Sequence, residues 1–430
     1  MPFAATGASG ESEPFDTSPE TPPEASLFSS PAALADRLAE LVALESPPGA
    51  LGPLNHCADL VADWGTAVLG RPFRRVVRDG LPHLLWPAAD QRILMLGHYD
   101  TVWPKGTIDD WPFAVADGRA TGPGVLDMKA GIVQMFAALA SLPDPSRVAV
   151  LLTCDEETGS VTSRPLIEEQ AMRSGAVLVC EPGTPDGRLK IARKGGSVYR
   201  LTARGRAAHA GVEPHLGINA TVELAHHVLS VRSLADEERG TSVTPTVLSG
   251  GTTTNTVPEL ATLTIDVRAW TRSELVRVDA ALRGLVPQLD GAALELGGGV
   301  NRYPLDPEVS LPLAELAQRT AKALGMEPPG AAYAPGASDG NFTAALGVPT
   351  LDGLGAVGAG AHARGEYIEL AAMPGRIALL AGLVERMLDT AQSQFMQPQL
   401  VRSQLVQSQL VQSHPAQSHL AAAHSAGRAG

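Results

Sequence analysis

Val148-Ala149-Val150-Leu151-Leu152 runs through Thr153 into Cys154-Asp155-Glu156-Glu157-Thr158-Gly159-Ser160. Five consecutive apolar residues that end at a polar, glycine-containing turn read as a strand buried on both faces. Adjacent glutamates usually mark a solvated surface. Here they stand at the carboxyl end of a buried strand, which is where an open α/β sheet presents its ligands.

The same arrangement recurs on both sides of this stretch. Ile93-Leu94-Met95-Leu96 is a buried strand that stops at Gly97-His98-Tyr99-Asp100-Thr101. Asp100, two residues beyond His98, is placed to take the second imidazole N–H and so fix which ring nitrogen faces a metal. Alone, a His-x-Asp sequence reads equally well as an ordinary loop. Gly122-Pro123-Gly124-Val125-Leu126-Asp127-Met128-Lys129-Ala130-Gly131 closes a loop and opens an apolar helix through Ile132, Val133, Met135, Phe136 and Leu139. Asp127 alone would be a helix N-cap. Ala176-Val177-Leu178-Val179-Cys180 delivers Glu181-Pro182-Gly183, and Gly355 to Ala361 leads to His362, with glycines that let the backbone come close to an ion. His98, Asp127, Glu157, Glu181 and His362, with Glu156 to spare, are the side chains of a two-zinc hydrolase. Cys154 and Cys180 flank these positions but read as core packing.

With these motifs in this order, the chain resembles the dinuclear zinc peptidase family of bacterial glutamate carboxypeptidase, succinyl-diaminopimelate desuccinylase, acetylornithine deacetylase and the aminoacylases, over roughly residues 31 to 391. The resemblance implies that Asp127 bridges two Zn²⁺ ions, that His98 and Glu181 complete one site and Glu157 and His362 the other, and that Glu156 is the general base. Two zinc ions about 3.5 to 4 Å apart lower the pKa of a shared water and polarise the scissile carbonyl. Glu156 would take that water's proton and hand it to the leaving nitrogen. His and carboxylate ligation without thiolate suits zinc and is compatible with Co²⁺ or Mn²⁺.

The rest of the chain sets the frame. A length of 430 residues with 44% hydrophobic content supports two domains. A formal charge of −13 argues against nucleic acid or an anionic membrane as partner. Three cysteines fit a reducing compartment, and the first thirty residues carry neither Lys nor Arg nor a long apolar run, so a cytoplasmic location is expected. Residues 1–29 and 392–430 read as disordered tails. The second holds the decaying repeat Gln-Leu-Val-x-Ser from Gln399, with His414, His419 and His424 at a spacing that does not align them on a helix face. Between the tails, the expected fold is an α/β mixed-sheet zinc-peptidase catalytic domain, residues 30–194 and 303–391, with an inserted α+β sandwich over 195–302. Ser30-Pro31 should open its first helix.

The insert shows a strand from Val198 to Gly205, a helix over 219–233, strands near 246–248 and over 261–268, and a helix over 273–289. The resemblance makes this insert a lid and the contact of a homodimer. It also assigns His209, in Ala208-His209-Ala210-Gly211, to stabilising the developing oxyanion, in many relatives from the partner subunit. Asn255 and Arg268 match residues that hold a substrate carboxylate, a contact suited to a planar guanidinium. Ser338, in Gly336-Ala337-Ser338-Asp339-Gly340-Asn341, matches a substrate-facing loop. His226 and His227 read as packing or surface residues.

Two departures bear on the substrate. Ala130 stands where the family commonly has the first glycine of Asp-Met-Lys-Gly-Gly. The family lysine that holds a substrate side-chain carboxylate falls in Asp186-Gly187-Arg188-Leu189-Lys190, where Arg188 and Lys190 both offer a cation. The Glu156-to-Ser160 run and Glu181-Pro182 look closest to the carboxypeptidase branch. The expected reaction is therefore release of a C-terminal amino acid, glutamate among the candidates, from a small peptide or N-acyl conjugate. An N-acyl amino acid deacylase and a non-catalytic binding protein on the same fold are the alternatives.

Overall fold

The computed structural model describes residues 27–389; the C-terminal repeats and their histidines, and the N-terminal tail up to residue 26, lie outside the described residues. The expected disordered tail is drawn too long at its inner end. Phe28 is buried, its ring 5.8 Å from Trp64 in an edge-on contact and 6.4 Å from Phe136. An aromatic side chain gains more from that burial than its neighbours lose in chain entropy. The first helix, Pro31–Ala43, opens as expected, with the Ser30 hydroxyl accepting from the Ala33 N–H and Pro31 at its start.

A six-stranded mixed sheet forms the larger unit, in the spatial order Arg74–Arg78, Leu81–Trp86, Val148–Thr153, Ile93–His98, Ala176–Val179, Thr350–Leu351. The first two strands pair antiparallel and the last four run parallel. Alternate residues of each central strand face opposite cores. Ile93, Met95, Val148, Val150 and Leu152 point into the cluster built with the helices Pro31–Ala43, Leu51–Leu69, Ala130–Ala140 and Met373–Asp389. Leu94, Leu96, Ala149 and Leu151 point into a second cluster with Leu166 and Ile167 of the helix Arg164–Met172 and Phe342. That two-sided burial is why these strands read as continuous apolar runs. Cys57, Cys154 and Cys180 are buried and unpaired.

The helix Ala130–Ala140 runs hard against the end of the strand that carries Glu181. A Cβ on Gly131 would lie 2.1 Å from the Cys180 carbonyl oxygen, so a side chain cannot be accommodated there. Ala130, one residue earlier, is buried without such a clash, which explains why it can replace a glycine.

Residues 195–302 form a separate four-stranded antiparallel sheet, in the order Ser242–Gly250, Leu260–Ala269, Gly195–Arg204, Ala293–Arg302. It has its own apolar cluster, with Leu224 and Val231 of the helix Ala220–Arg232 and Leu275, Val278 and Leu282 of the helix Arg272–Arg283. The strand Ala293–Arg302 has no signature in the sequence, because Gly297-Gly298-Gly299 carries no strand preference. The glycines are needed for close approach: Gly298 has φ +84°, and a Cβ there would meet the Val198 carbonyl oxygen at 2.2 Å. The second insert helix also ends at Arg283, short of the expected Leu289, with Gly284 as its C-cap and Pro287 beyond.

The chain crosses between the two units twice, side by side. Arg193 and Leu305 exchange backbone hydrogen bonds of 3.2 and 3.1 Å. The buried Asn341 amide donates to the carbonyls of Lys194 (3.1 Å) and Tyr303 (2.8 Å), one on each crossing.

Within the insert, Glu274 ties the turn over 236–241 to the second helix, accepting from Arg277 (2.7 Å), Arg239 (2.8 Å) and Thr241 (2.9 Å). Arg277 above all, then Arg239, hold its carboxyl down to about 2. A lowered folded-state pKa contributes stability above the ordinary carboxyl range and loses it as pH falls towards the folded value. Glu274→Gln is therefore expected to melt below the wild type at neutral pH. That gap should shrink steadily from about pH 4.5 towards 2 in thermal scans.

Candidate metal centre

The six side chains singled out in the sequence converge at the carboxyl edge of the mixed sheet. His98 is the last residue of its strand, and its Nε2 lies 3.3 Å from Asp127 Oδ1 and 3.2 Å from Glu181 Oε1. His362 Nε2 lies 3.4 Å from Asp127 Oδ2 and 3.2 Å from Glu157 Oε2. Asp127 thus shows one carboxylate oxygen to each imidazole.

These spacings fit a shared cation better than hydrogen bonds. Ligand atoms at about 2.0–2.2 Å from a tetrahedral ion stand roughly 3.3 Å from one another. His98 Nε2, Asp127 Oδ1 and Glu157 Oε1 are buried and make no hydrogen bond, a cost of about 1–3 kcal/mol each unless an ion satisfies them. Donor atoms of His98, Asp127 and Glu157 lie within 4.8 Å of one another, as do those of His98, Glu156 and Glu181. The field there is strongly negative: Asp127 and then Glu157 hold the His362 imidazole up to about 10. Although burial alone would raise it, the two histidines hold the Asp127 carboxyl well below its usual range.

Each donor is fixed by its local backbone. Asp127 sits in the turn Val125–Lys129, whose Leu126 N–H donates to Glu366 Oε1 at 3.0 Å. Glu366 also accepts from Trp103 Nε1 at 3.2 Å, and burial pushes its carboxyl up to about 7. His362 holds a left-handed backbone, φ +63°, a conformation uncommon outside glycine and of the kind kept at functional sites. Glu181 Oε2 accepts from Arg193 at 3.2 Å, and Arg193 is itself clamped by two bonds of 2.7 and 2.9 Å to Asp352.

Asp100 acts differently from expectation. The His98 Nδ1 partner is the Asp100 carbonyl at 3.0 Å, while the nearest carboxylate oxygen is 3.5 Å away. The carboxylate instead accepts from the Glu156 N–H (3.3 Å) and the Glu157 N–H (3.0 Å), orienting the turn that carries both glutamates.

Glu156 differs from its neighbours in its partner. Its Oε1 takes a 3.0 Å bond from Arg302; burial pushes its carboxyl up, with Arg302 opposing. Arg302, Arg193, Asp352 and Glu366 carry no signal in the sequence, because none belongs to a run whose spacing marks it, and Asp339 stands in the Gly336-to-Asn341 loop with nothing there to show that it binds Arg302.

Two clefts meet at the centre. One, of about 740 Å³, runs along the insert past Glu156, Glu157, His362 and Arg268. The other, of about 440 Å³, runs past Asp127, Glu181, Lys190, Arg193 and Tyr333. Lys190 rather than Arg188 faces this second cleft; Arg188 is half exposed and paired with Asp186 at 2.8 Å. Burial lowers the Lys190 ammonium below its ordinary range. Arg268 reaches the first cleft while bonded to Asp266 at 2.9 Å.

Ser338 does not face either cleft, contrary to expectation. It is fully buried and donates to Asp352 Oδ2 at 2.5 Å, because the loop turns Gly336 and Ala337 outward. His209 and Asn255 are exposed together on the insert, joined by the Ala210 N–H to Asn255 carbonyl bond of 2.8 Å, and line neither cleft. Of the two helix histidines, His226 is exposed and His227 is buried against Glu223 at 2.9 Å.

Residues 94–386 match the model of the peptidase family M20/M25/M40. The chain belongs to this family. It is 30% identical over 326 residues to carboxypeptidase G2 of Pseudomonas sp. (strain RS-16), covering 72% of this chain and 77% of that protein. It is 28% identical to succinyl-diaminopimelate desuccinylase of Granulibacter bethesdensis, covering 84% and 98%. Among solved structures, an M20 family metallo-carboxypeptidase of Sulfolobus solfataricus, Sso-CP2, superposes with TM-score 0.65 at 17% identity, covering 82% of this chain and 99% of that one. This M20 protein is a hydrolytic enzyme, a metallopeptidase or amidohydrolase. No helix among its described residues is long and apolar enough to cross a membrane.

Asp100→Ala frees the turn that carries Glu156 and Glu157 without removing a donor. It is expected to weaken divalent-cation affinity about 10- to 100-fold, measured by competition with a chelating indicator.

Proposed function

We propose that this protein is a glutamate-carboxypeptidase-like exopeptidase that hydrolyses an amide bond next to a free carboxylate. The observation that carries this reading is the Asp127 carboxylate shared between His98 and His362, beside a glutamate that is held by an arginine. On this reading His98, Asp127 and Glu181 hold one Zn²⁺, and Asp127, Glu157 and His362 a second, Co²⁺ or Mn²⁺ being able to substitute. The bound ions supply an acidified water and polarise the carbonyl. Glu156 removes the proton from the attacking water and delivers it to the nitrogen as the C–N bond breaks, leaving a carboxylate and an amine. Asp100 serves by holding the Glu156–Glu157 backbone.

Residues 30–194 and 303–391 are assigned to the catalytic domain and 195–302 to the lid. A homodimer through the lid is supported by its edge strand Ser242–Gly250, where Val247 and Leu248 are exposed, and by Leu229, 73% exposed on the adjacent helix. A dimer would bring the partner's insert, with its own copies of the exposed histidine and asparagine, to this cleft. Arg268 and Lys190 offer a cation on either side of the metals, which suits a substrate with carboxylates at both ends. Three buried, unpaired cysteines suit the cytoplasm.

The desuccinylase relatives favour a second reading, an N-acyl amino acid deacylase with the same chemistry. N-acyl glutamates, dipeptides, and acetyl and succinyl amino acids assayed with the zinc- or cobalt-loaded protein separate the two. Cleavage confined to acetyl and succinyl groups would overturn the carboxypeptidase reading. Glu156→Gln is expected to lower kcat by about 10²- to 10⁴-fold while metal content stays at the wild-type level. Asp127→Ala should remove both ions, and Glu181→Ala one, by metal analysis of dialysed protein. Lys190→Met should reduce kcat/KM for acidic substrates more than for neutral ones.

A further inference from the structure

Glu156 stands where it could serve in either of two ways. A donor oxygen of its carboxylate lies within 4.8 Å of those of His98 and Glu181, the same clustering that marks the ligands. A cation bound by His98 and Glu181 would attract it as strongly as it attracts any other carboxylate. A glutamate drawn into coordination is pinned as a ligand, and the cation that stabilises its charge makes it a weaker base towards the water proton.

What opposes that attraction is Arg302. It is the last residue of the insert's final strand, and its side chain is 9% exposed. Its Nη2, with two hydrogens to share, lies within hydrogen-bonding distance of Glu156 Oε1 (3.0 Å), Asp339 Oδ1 (2.9 Å), Ser160 Oγ (2.6 Å) and the Glu156 carbonyl (3.4 Å). The guanidinium is held in turn. Asp339 Oδ1 also accepts from Ser160, its Oδ2 takes a 3.1 Å bond from Thr153 at the end of the central strand, and the guanidinium carbon sits 4.9 Å from the Phe342 ring centre. Arg302 bonds to none of the five proposed metal ligands. The other buried arginine of the centre, Arg193, bonds to Glu181 and to no part of Glu156.

We propose that Arg302 is a positioning residue that keeps Glu156 a base by competing with the metal for its carboxylate. The inference rests on the reading of Glu156 as the proton acceptor. It gives the two buried arginines separate tasks: Arg193 fixes a ligand, and Arg302 withholds one.

The test uses zinc-loaded full-length Arg302→Met and Arg302→Lys beside the wild type and Glu156→Gln. In Arg302→Met the Glu156 carboxylate should move to about 2.0–2.2 Å from a zinc ion in a crystal structure. Zinc affinity should rise or hold, where a general loosening of the site would lower it. With N-acyl glutamates and dipeptides as substrates, kcat should fall by roughly 10²-fold and KM by or within about three-fold. Arg302→Lys, which keeps a cation at the same place, should recover part of the loss. In the Glu156→Gln background, Arg302→Met should add almost nothing, because both changes remove the same function.

An Arg302→Met structure with Glu156 in its original place would overturn the proposal, as would lower zinc affinity or a raised KM with unchanged kcat. Should Arg302→Met fail to fold, Arg302→Gln takes its place: Glu156 drawn to the zinc ion with zinc affinity held supports the proposal, while Glu156 unmoved or a collapsed zinc affinity sinks it. Full activity in Glu156→Gln would instead remove Glu156 from the reaction. That result is distinct from an inactive Glu156→Gln beside an unaffected Arg302→Met, which would refute this inference alone.

Discussion

The structure is organised around the mutual repulsion of carboxylates brought together out of water. Asp127, Glu156, Glu157 and Glu181 meet at one edge of the sheet, with Asp100, Asp339 and Asp352 just behind them. Like charges at such distances and in such burial cannot all remain ionised without compensation. Two histidines and two buried arginines answer part of it, and the orphaned atoms of His98, Asp127 and Glu157 mark where a bound cation would supply the remainder.

The scaffold meets this demand by rigidity. Parallel strands buried on both faces deliver His98, the Glu156–Glu157 turn and Glu181 from adjacent positions, so their relative placement is set by the register of Ile93–His98 with Val148–Thr153 and Ala176–Val179. The close approach allowed by Gly131 seats the helix that follows Asp127 against the strand of Glu181. Side chains on rigid elements lose little entropy on binding an ion, and the ligand geometry exists before it arrives.

Much of this was legible in the sequence, for a physical reason. A strand buried on both faces must be continuously apolar, so the point where polarity returns marks its end, and every strand-borne donor stands at such a point. His98, Glu157 and Glu181 could be read in that way, and Asp127 and His362 from glycine-rich approaches. The compensating arginines could not, because Arg193 and Arg302 earn their roles from tertiary neighbours and sit in runs without periodicity. Ser338 was misread because a loop sequence does not say which of its residues turn outward. The strand Ala293–Arg302 was hidden by glycines that tertiary contact requires, and Phe28 by the polar composition around it. His209 and Asn255 lie away from both clefts of a single chain, a fact with no trace in local sequence.

The paired crossings between the two units have a further consequence. Arg302 belongs by backbone to the insert and by hydrogen bonding to the active centre, and Asn341 stitches both crossings to the loop that carries Asp339. The two units are therefore not interchangeable parts. A chimera that took its insert from a relative would exchange the residue that contacts Glu156 unless the splice fell before residue 302, so the position of the junction decides whether Arg302 stays with the larger unit.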